Sequence, residues 1–491
     1  MDVLLVCDLR FPGGTSTSVV DEIRAAAAAG YRLGLLHLDS SSLSTDRPIH
    51  SLIRAELDSG AATLILPGQA VTTRLLVVKH PTLFTTPLGG RLPIKADKVI
   101  LVAGQVPQDL DGTIHYDPAR VDAHLVAALG QRAVWVPVSP VVREHLRAAA
   151  ESAEILLAPT DWVEIIDPEG WSVDRSDPVD TDRAVIGRHS RPSRMKWPST
   201  SSDLLAAYPD DGSVRVRVMG GIDGVVDVLG YEPTQWEVLA FGALSAREFL
   251  AGIDVFVYQH HPDLVEAFGR TILEALASGA VVVTPPHFEE LFGTACLYAQ
   301  PSGVSAIVER LWADPSTRQR QSEIGLAELR RRFSHAAHVA RVDELIGPPN
   351  AAKPRALPAP DSKLIPQRQR DALPTVVVAA LGASVAQVEA AIELLVVQRA
   401  FAGGFVPVIV TTERPPPSAL SMGIQIEVIT SRRNWRQSPE QWPEYAAGRL
   451  RIFVRQHCAT SVTVLDLAHP DAWIALRTRP WSSRVDAEAF T

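Results

Sequence analysis

Cysteine is scarce in this sequence of 491 residues: Cys7, Cys296 and Cys458 are its three. They are too few and too scattered for a disulfide framework or a zinc site, and suit a reducing compartment. Long apolar runs are missing too. No window reaches the ~18 consecutive apolar residues of a membrane span, and the alanines at 25 to 29 follow Asp21, Glu22 and Arg24 in an amphipathic helical pattern. No basic segment precedes the first apolar run, so MDVLLVCDLR reads as an opening β-strand rather than a signal peptide. The expected location is the cytoplasm, with peripheral contact at the inner face of a membrane still compatible. Positive charge is also in deficit. A formal net charge of −9 argues against nucleic acid as the main partner. Lysine is the rarest of the common charged residues, only 6 of the 47 basic side chains, and between Lys98 and Lys353 the sole lysine is Lys196.

What is present is the composition of a folded chain, 46% hydrophobic and 21% charged. The length implies two to four domains. From residue 1 to about 160, short apolar runs alternate with helical patterns: VLLVC (3–7), LGLLHL (33–38), ATLIL (62–66), KVILVA (98–103) and AVWV (133–136). That alternation predicts a parallel α/β domain over 1–180. A second series, AVIG (184–187), VRVRVMG (214–220), WEVLAFG (236–242), IDVFVY (253–258) and AVVVT (280–284), predicts another over 181–347. Residues 348–373 hold prolines at 348, 349, 354, 358, 360 and 366 and read as an extended, semi-rigid linker. Residues 374–491 begin with TVVVAA and a Ser384/Gln387 capping box, then run through VPVIVT, IQIEVI and SVTVLD. This is an accessory α/β domain without a phosphate-binding glycine loop, so we assign it no nucleotide.

The stretch from Asp254 to Thr284 carries the most chemistry. A buried strand ends near Tyr258, a polar loop follows, and a helix begins near Phe268 and closes at Ser278-Gly279. In such folds anions sit at the carboxyl ends of strands, against helix N-termini. Glu266 precedes the helix and Glu274 lies inside it, a span of roughly 12 Å at 1.5 Å per helical residue, about the length of a diphosphate with a sugar at each end. Taken alone, the pair also reads as a dipole-favoured glutamate and an exposed one. In the first lobe, Gly13-Gly14 follows the first strand and precedes a helix near Ser18. It is either a plain turn or a place where backbone approaches a ligand closely.

The segment E-A-F-G-R-T-I-L-E-A-L-A-S-G, from Glu266 to Gly279, resembles the motif of the retaining GT-B glycosyltransferases of glycosyltransferase family 4: a glutamate, seven residues, a second glutamate, with Phe268, Gly269, Glu274, Ala275 and Ala277 to Gly279 in the matching places. The likeness covers the second lobe strongly, the first loosely and the last 120 or so residues not at all. It implies an α/β GT-B fold, two facing Rossmann-like domains, here with a C-terminal α/β accessory domain. It also implies a retaining hexosyltransferase that uses a nucleotide-diphosphate sugar as donor substrate, with no cofactor and no metal. Glu266 then contacts the donor sugar, Glu274 accepts from the ribose hydroxyls, and Gly13, Gly14, Phe268 and Gly269 border the donor. The family's basic pair corresponds to Arg188 and Lys196, which would neutralise the departing diphosphate. The spacing here is longer and Trp197 stands where family members have glycine, so Arg191 or Arg194 competes with Arg188. His115 is the candidate for the family's histidine near the sugar, with His80 competing. VRVRVMGG and WEVLAFGAL resemble the loops around the base. Asp109-Leu110-Asp111 fits a metal-binding spacing, but lies in the acceptor-side lobe and reads as a loop. The acceptor is a glycan, lipid or protein, in a cell-envelope or polysaccharide setting, and self-association stays compatible. Two rival readings are a nucleotide-sugar 2-epimerase and a non-catalytic nucleotide-sugar binder of an envelope-assembly complex.

Overall fold

In a computed structural model the chain forms three units, each built on its own sheet. The structure describes the residues other than 44–48, 66–67, 176–178, 180–181, 352–356, 359–360, 369–374, 402–405, 415–423, 437, 458, 460, 466–478 and 481–491. Cys458, Lys353 and the boundary expected at 180 therefore lie outside the described residues.

The first sheet holds β1 (Val3–Cys7), β2 (Leu33–His37), β3 (Ala62–Ile65), β4 (Val71–Lys79), β5 (Ile94–Ala103) and β6 (Val134–Pro137). All pair in parallel, in the order β3-β2-β1-β4-β5-β6. Helices cover both faces, which is why strands such as β1 are buried along their whole length and read as unbroken apolar runs. The central strand β4 is absent from the sequence reading. Its first half, V-T-T-R, carries the polar side chains of Thr72, Thr73 and Arg74, and only its second half is an apolar run.

The second sheet holds β7 (Val185–His189), β8 (Arg215–Met219), β9 (Trp236–Leu239), β10 (Val255–Val257), β11 (Val281–Thr284) and β12 (Leu297–Tyr298). Its order, β12-β11-β10-β7-β8-β9, is again all parallel and repeats the topology of the first sheet. In both, the chain works outward from the first strand, then crosses back to its other side. That reversal, between β1 and β4 and between β7 and β10, opens a crevice at the carboxyl ends of the strands.

The third sheet holds β13 (Thr375–Ala380), β14 (Val406–Thr411), β15 (Gln425–Val428), β16 (Ser461–Val464) and β17 (Arg479–Pro480), in the order β15-β14-β13-β16-β17 with only β17 antiparallel. The capping box forms: Gln387 N donates to Ser384 Oγ at 3.4 Å and Ser384 N to Gln387 Oε1 at 2.9 Å. The two faces of this sheet bury their own clusters, one around Val378 and Leu395, the other around Val377 and Phe453. Two Rossmann-like domains and a further α/β domain are thus the architecture.

Two further segments pack on the first domain after the chain has left the second. Helix His335–Ile346 leaves the second domain and lies on helix Gly14–Ala28 of the first, where Tyr31 Oη donates to Gly347 O at 3.0 Å and Val342 is buried. The described linker residues do not stand clear as a spacer. Asp361 N donates to Gly68 O at 3.0 Å, Arg368 donates to Leu83 O at 2.7 Å and Thr86 O at 2.8 Å, and Ile365 is buried. Proline lacks an N–H but keeps its carbonyl, and Gln69 Nε2 donates to Pro358 O at 2.8 Å.

Candidate active site

The loop Tyr258–Gly269, between β10 and helix Arg270–Ala277, lies at the switch point of the second sheet. It also touches the first domain: Ser139 Oγ, at the end of β6, donates to Ala267 O. Gly269 caps the helix in a left-handed conformation with φ 89° and offers no side chain to its first amides. The helix begins at Arg270, two residues later than the sequence pattern places it.

Glu266, Lys196 and Tyr258 meet in this loop. Lys196 Nζ donates to Glu266 Oε2 and, at 3.1 Å, to Tyr258 Oη, while Tyr258 Oη also donates to Glu266 Oε2. Burial pushes the Glu266 carboxyl pKa up, but the Lys196 charge and the two hydrogen bonds outweigh it and hold Glu266 below the usual carboxylate range. Burial, reinforced by Glu266, drives the Tyr258 phenol well above its ordinary value, so it stays a donor. The result is an ionised carboxylate with one oxygen committed to two donors.

Arg188 and Lys196 occupy different settings. Arg188, in β7, has no exposed surface; its guanidinium lies 4.1 Å from the Trp197 ring centre and 5.2 Å from that of Tyr258. Nη1 donates to Gln259 O at 2.7 Å, whereas Nε and Nη2 are buried with no hydrogen-bond partner among the described residues. Trp197, standing where the resemblance calls for glycine, is what roofs this cation. Lys196 is the partly exposed cation, and Arg191 and Arg194 are exposed beside it. Lys196 thus reaches the surface of the crevice, whereas Arg188 is enclosed by its aromatic neighbours.

Glu274 faces inward from the helix. His189 Nε2 lies 3.5 Å from Glu274 Oε2, and Arg270 Nε lies 3.5 Å from Oε1. Burial raises the Glu274 pKa despite the opposing Arg270 charge. Burial, with Arg188 adding to it, lowers His189 to about 4, so the imidazole is neutral at pH 7. The Phe268 ring does not border the crevice: it is buried against Phe292 and Phe333, at centroid distances of 5.9 and 6.1 Å. Only its backbone is left for a ligand.

On the opposite side, Gly13 has φ 70° and caps a helix that starts at Gly14, four residues earlier than the pattern suggested. Gly14 faces Arg270: a Cβ there would stand 3.7 Å from Arg270 Cβ. His80 follows β4 with φ 110°, its ring centre 5.5 Å from that of Phe11 in the glycine loop, and burial lowers its pKa to about 4. His115 pairs with Asp109 at 2.8 Å inside its own loop, and Asp111 Oδ1 accepts from Thr113 N at 2.9 Å. The loop aspartates are thus engaged locally, and the His80 ring stands beside the glycine turn. Among the described residues, no three His, Cys, Asp or Glu side chains gather as a metal site, and no helix is long and apolar enough to cross a membrane.

Sequence reading missed Tyr258, His189 and Arg270. The first two sit at strand ends beside residues it did select, and Arg270 lies within the matched motif itself. Their signal was position; their roles depend on partners distant along the chain.

No protein-family model and no curated protein matches the chain. Among solved structures it is similar to Anabaena HepE in complex with UDP-glucose, 15% identical with a TM-score of 0.49, covering 70% of this chain and 98% of that one. It is also similar to a glycosyltransferase from Rickettsia africae, 12% identical with a TM-score of 0.47 and coverage of 70% and 98%. The catalytic domain of starch synthase IV from Arabidopsis thaliana, bound to ADP and acarbose, is 11% identical with a TM-score of 0.47 and the same coverage.

Proposed function

We propose that this chain is a glycosyltransferase that takes a sugar from a nucleoside-diphosphate donor held on the second domain and delivers it, with retention, to an acceptor resting on the first. The observation that carries the reading is the Lys196–Tyr258–Glu266 cluster at the second switch point, on the same motif as Glu274 and opposite the Gly13-Gly14 turn. Glu266 keeps an oxygen for sugar hydroxyls. Glu274 serves the ribose, and Lys196 with the helix amides offsets the charge that grows on the leaving diphosphate. Arg188 contributes by fixing Tyr258 and Trp197. The scheme needs no metal and no resident cofactor. A cytoplasmic enzyme acting on a glycan, lipid-linked or protein acceptor fits it.

The test is calorimetry with a panel of nucleoside diphosphates and nucleotide sugars, followed by product analysis with and without acceptor. Binding of one nucleotide family, weakened by about 1.5–3 kcal/mol in Glu274→Ala, is the expected outcome, since hydrogen bonds to a charged group are lost. Unchanged affinity in that variant removes the ribose assignment. A donor epimerised in the absence of acceptor, or one bound but never consumed, replaces the proposed reaction with an epimerase or a binding protein.

A further inference from the structure

Arg270 is the first residue of the helix that carries Glu274, yet most of its partners lie outside the second domain. Its Nη2 donates to Asp21 Oδ2 at 2.5 Å, on helix Gly14–Ala28 of the first domain. Its Nη1 donates to Ile165 O at 2.6 Å and lies 3.7 Å from Glu164 Oε2, both on the connection between domains. Nε points at Glu274 Oε1 at 3.5 Å and has no hydrogen-bond partner among the described residues. Asp21 is gripped from a second direction by His335 Nε2 at 3.3 Å, the first residue of the helix that returns to the first domain.

The guanidinium is nearly buried, so these contacts act with little screening by water. Asp21 is the carboxylate hydrogen-bonded to the cation from the first domain, while burial holds Glu164 at about 7, above the ordinary carboxylate value, despite Arg270 beside it. A rigid planar fork with one prong held by the first domain and the other by the connection leaves its third nitrogen in a set place relative to Glu274.

We propose that Arg270 is a positioning residue: it ties the Glu274 carboxylate to Asp21, so that nucleotide affinity on the second domain depends on a side chain of the first. The inference rests on reading Glu274 as the ribose acceptor. Its consequence is specific. Asp21 forms part of helix Gly14–Ala28, yet its removal is transmitted to nucleotide through Arg270.

The experiment compares the unchanged protein with Asp21→Asn, Arg270→Gln, Arg270→Lys, the double variant Asp21→Asn/Arg270→Gln and Glu274→Gln, by calorimetry against UDP, ADP, GDP and TDP and by hydrogen exchange without nucleotide. D21N and R270Q should each weaken the nucleotide that binds by about 10-fold, in the ordinary range of coupling between sites. The double variant should lose no more than R270Q alone, because both break one chain of contacts. R270K should not restore affinity, since an ammonium lacks the fork. A merely structural role would lower the melting temperature additively and leave affinity untouched. Affinity within about 2-fold of the original in both D21N and R270Q, alongside a loss in E274Q, overturns the proposal while leaving the ribose reading intact. If E274Q keeps full affinity, the ribose reading falls and the proposal with it. Should the unchanged protein bind none of the four, the ribose reading and the proposal fall together; where it binds, unaltered exchange over 266–277 in D21N overturns the tie.

Discussion

At the scale of single residues, Lys196 and Glu266 define each other. Rarity of lysine marks Lys196 in the sequence, but its pairing with Glu266 under the Tyr258 hydroxyl is a tertiary fact. Removing the ammonium leaves the partly buried Glu266 carboxylate without its cation and, on the proposed reading, a diphosphate without its counter-charge. We therefore expect Lys196→Ala to lower turnover on the order of 100-fold with the fold retained. Steady-state kinetics with circular dichroism checks this, and wild-type turnover in a folded variant would exclude Lys196 from the reaction. His189 and His338 bear on stability instead. Burial lowers them to about 4 and about 3 from an ordinary value of 6.5. Unfolded, each binds a proton below pH 6.5 that the folded chain refuses, so acid favours unfolding. The stability they protect is complete above pH 6.5 and is lost as the pH falls toward 4, at up to about 1.4 kcal/mol per unit for each. Urea midpoints between pH 7 and 4.5 should decline accordingly, and less steeply in His189→Gln.

Among elements, the end of β8 shows how one loop depends on its neighbour. Gly220 has φ 126°, and a Cβ there would lie 1.8 Å from Ser190 O, in the loop that leads from β7 to Lys196. No side chain fits without moving that loop or twisting the peptide into a costly conformation. Gly220→Ala should cost about 1–3 kcal/mol of stability and reduce nucleotide affinity as well, because Lys196 moves with Ser190. Melting curves and calorimetry measure both, and an unaffected affinity would mean that the loop accommodates the methyl elsewhere. Most elements here were legible in sequence, the short strands from their apolar runs and the Ser384 helix from its capping box. β4 was not: period and hydrophobicity fail where Thr73 is buried by neighbours rather than by its own character.

For the whole molecule, the linker changes where the chain divides. Pro348 O accepts from Arg74 Nη1 at 2.8 Å, and the contacts of Asp361, Ile365 and Arg368 continue along the first domain. The third sheet buries separate clusters. A fragment of residues 1–373 should therefore stay soluble and bind nucleotide like the full chain. A fragment of 1–347 should melt several degrees lower, as burying one isoleucine is worth about 1.5–3 kcal/mol. Equal melting temperatures for the two would show the docked linker to be energetically idle. An insoluble 1–373 fragment would make the third domain part of the body.

Sequence alone determined the three α/β units and the Glu266–Glu274 motif, since apolar period and local spacing are properties of short stretches read against a common backbone geometry. It could not decide that Arg188 is roofed by Trp197, that the Phe268 ring belongs to the core, that the His80 ring stands by Phe11, or that Arg270 reaches Asp21. Each of these depends on which surfaces the folded chain brings together, often from residues far apart in sequence, and on the burial that results. Burial and partnership set charge, donor direction and access, and they exist only once each domain has folded and, for Arg270 and Asp21, once the two domains meet.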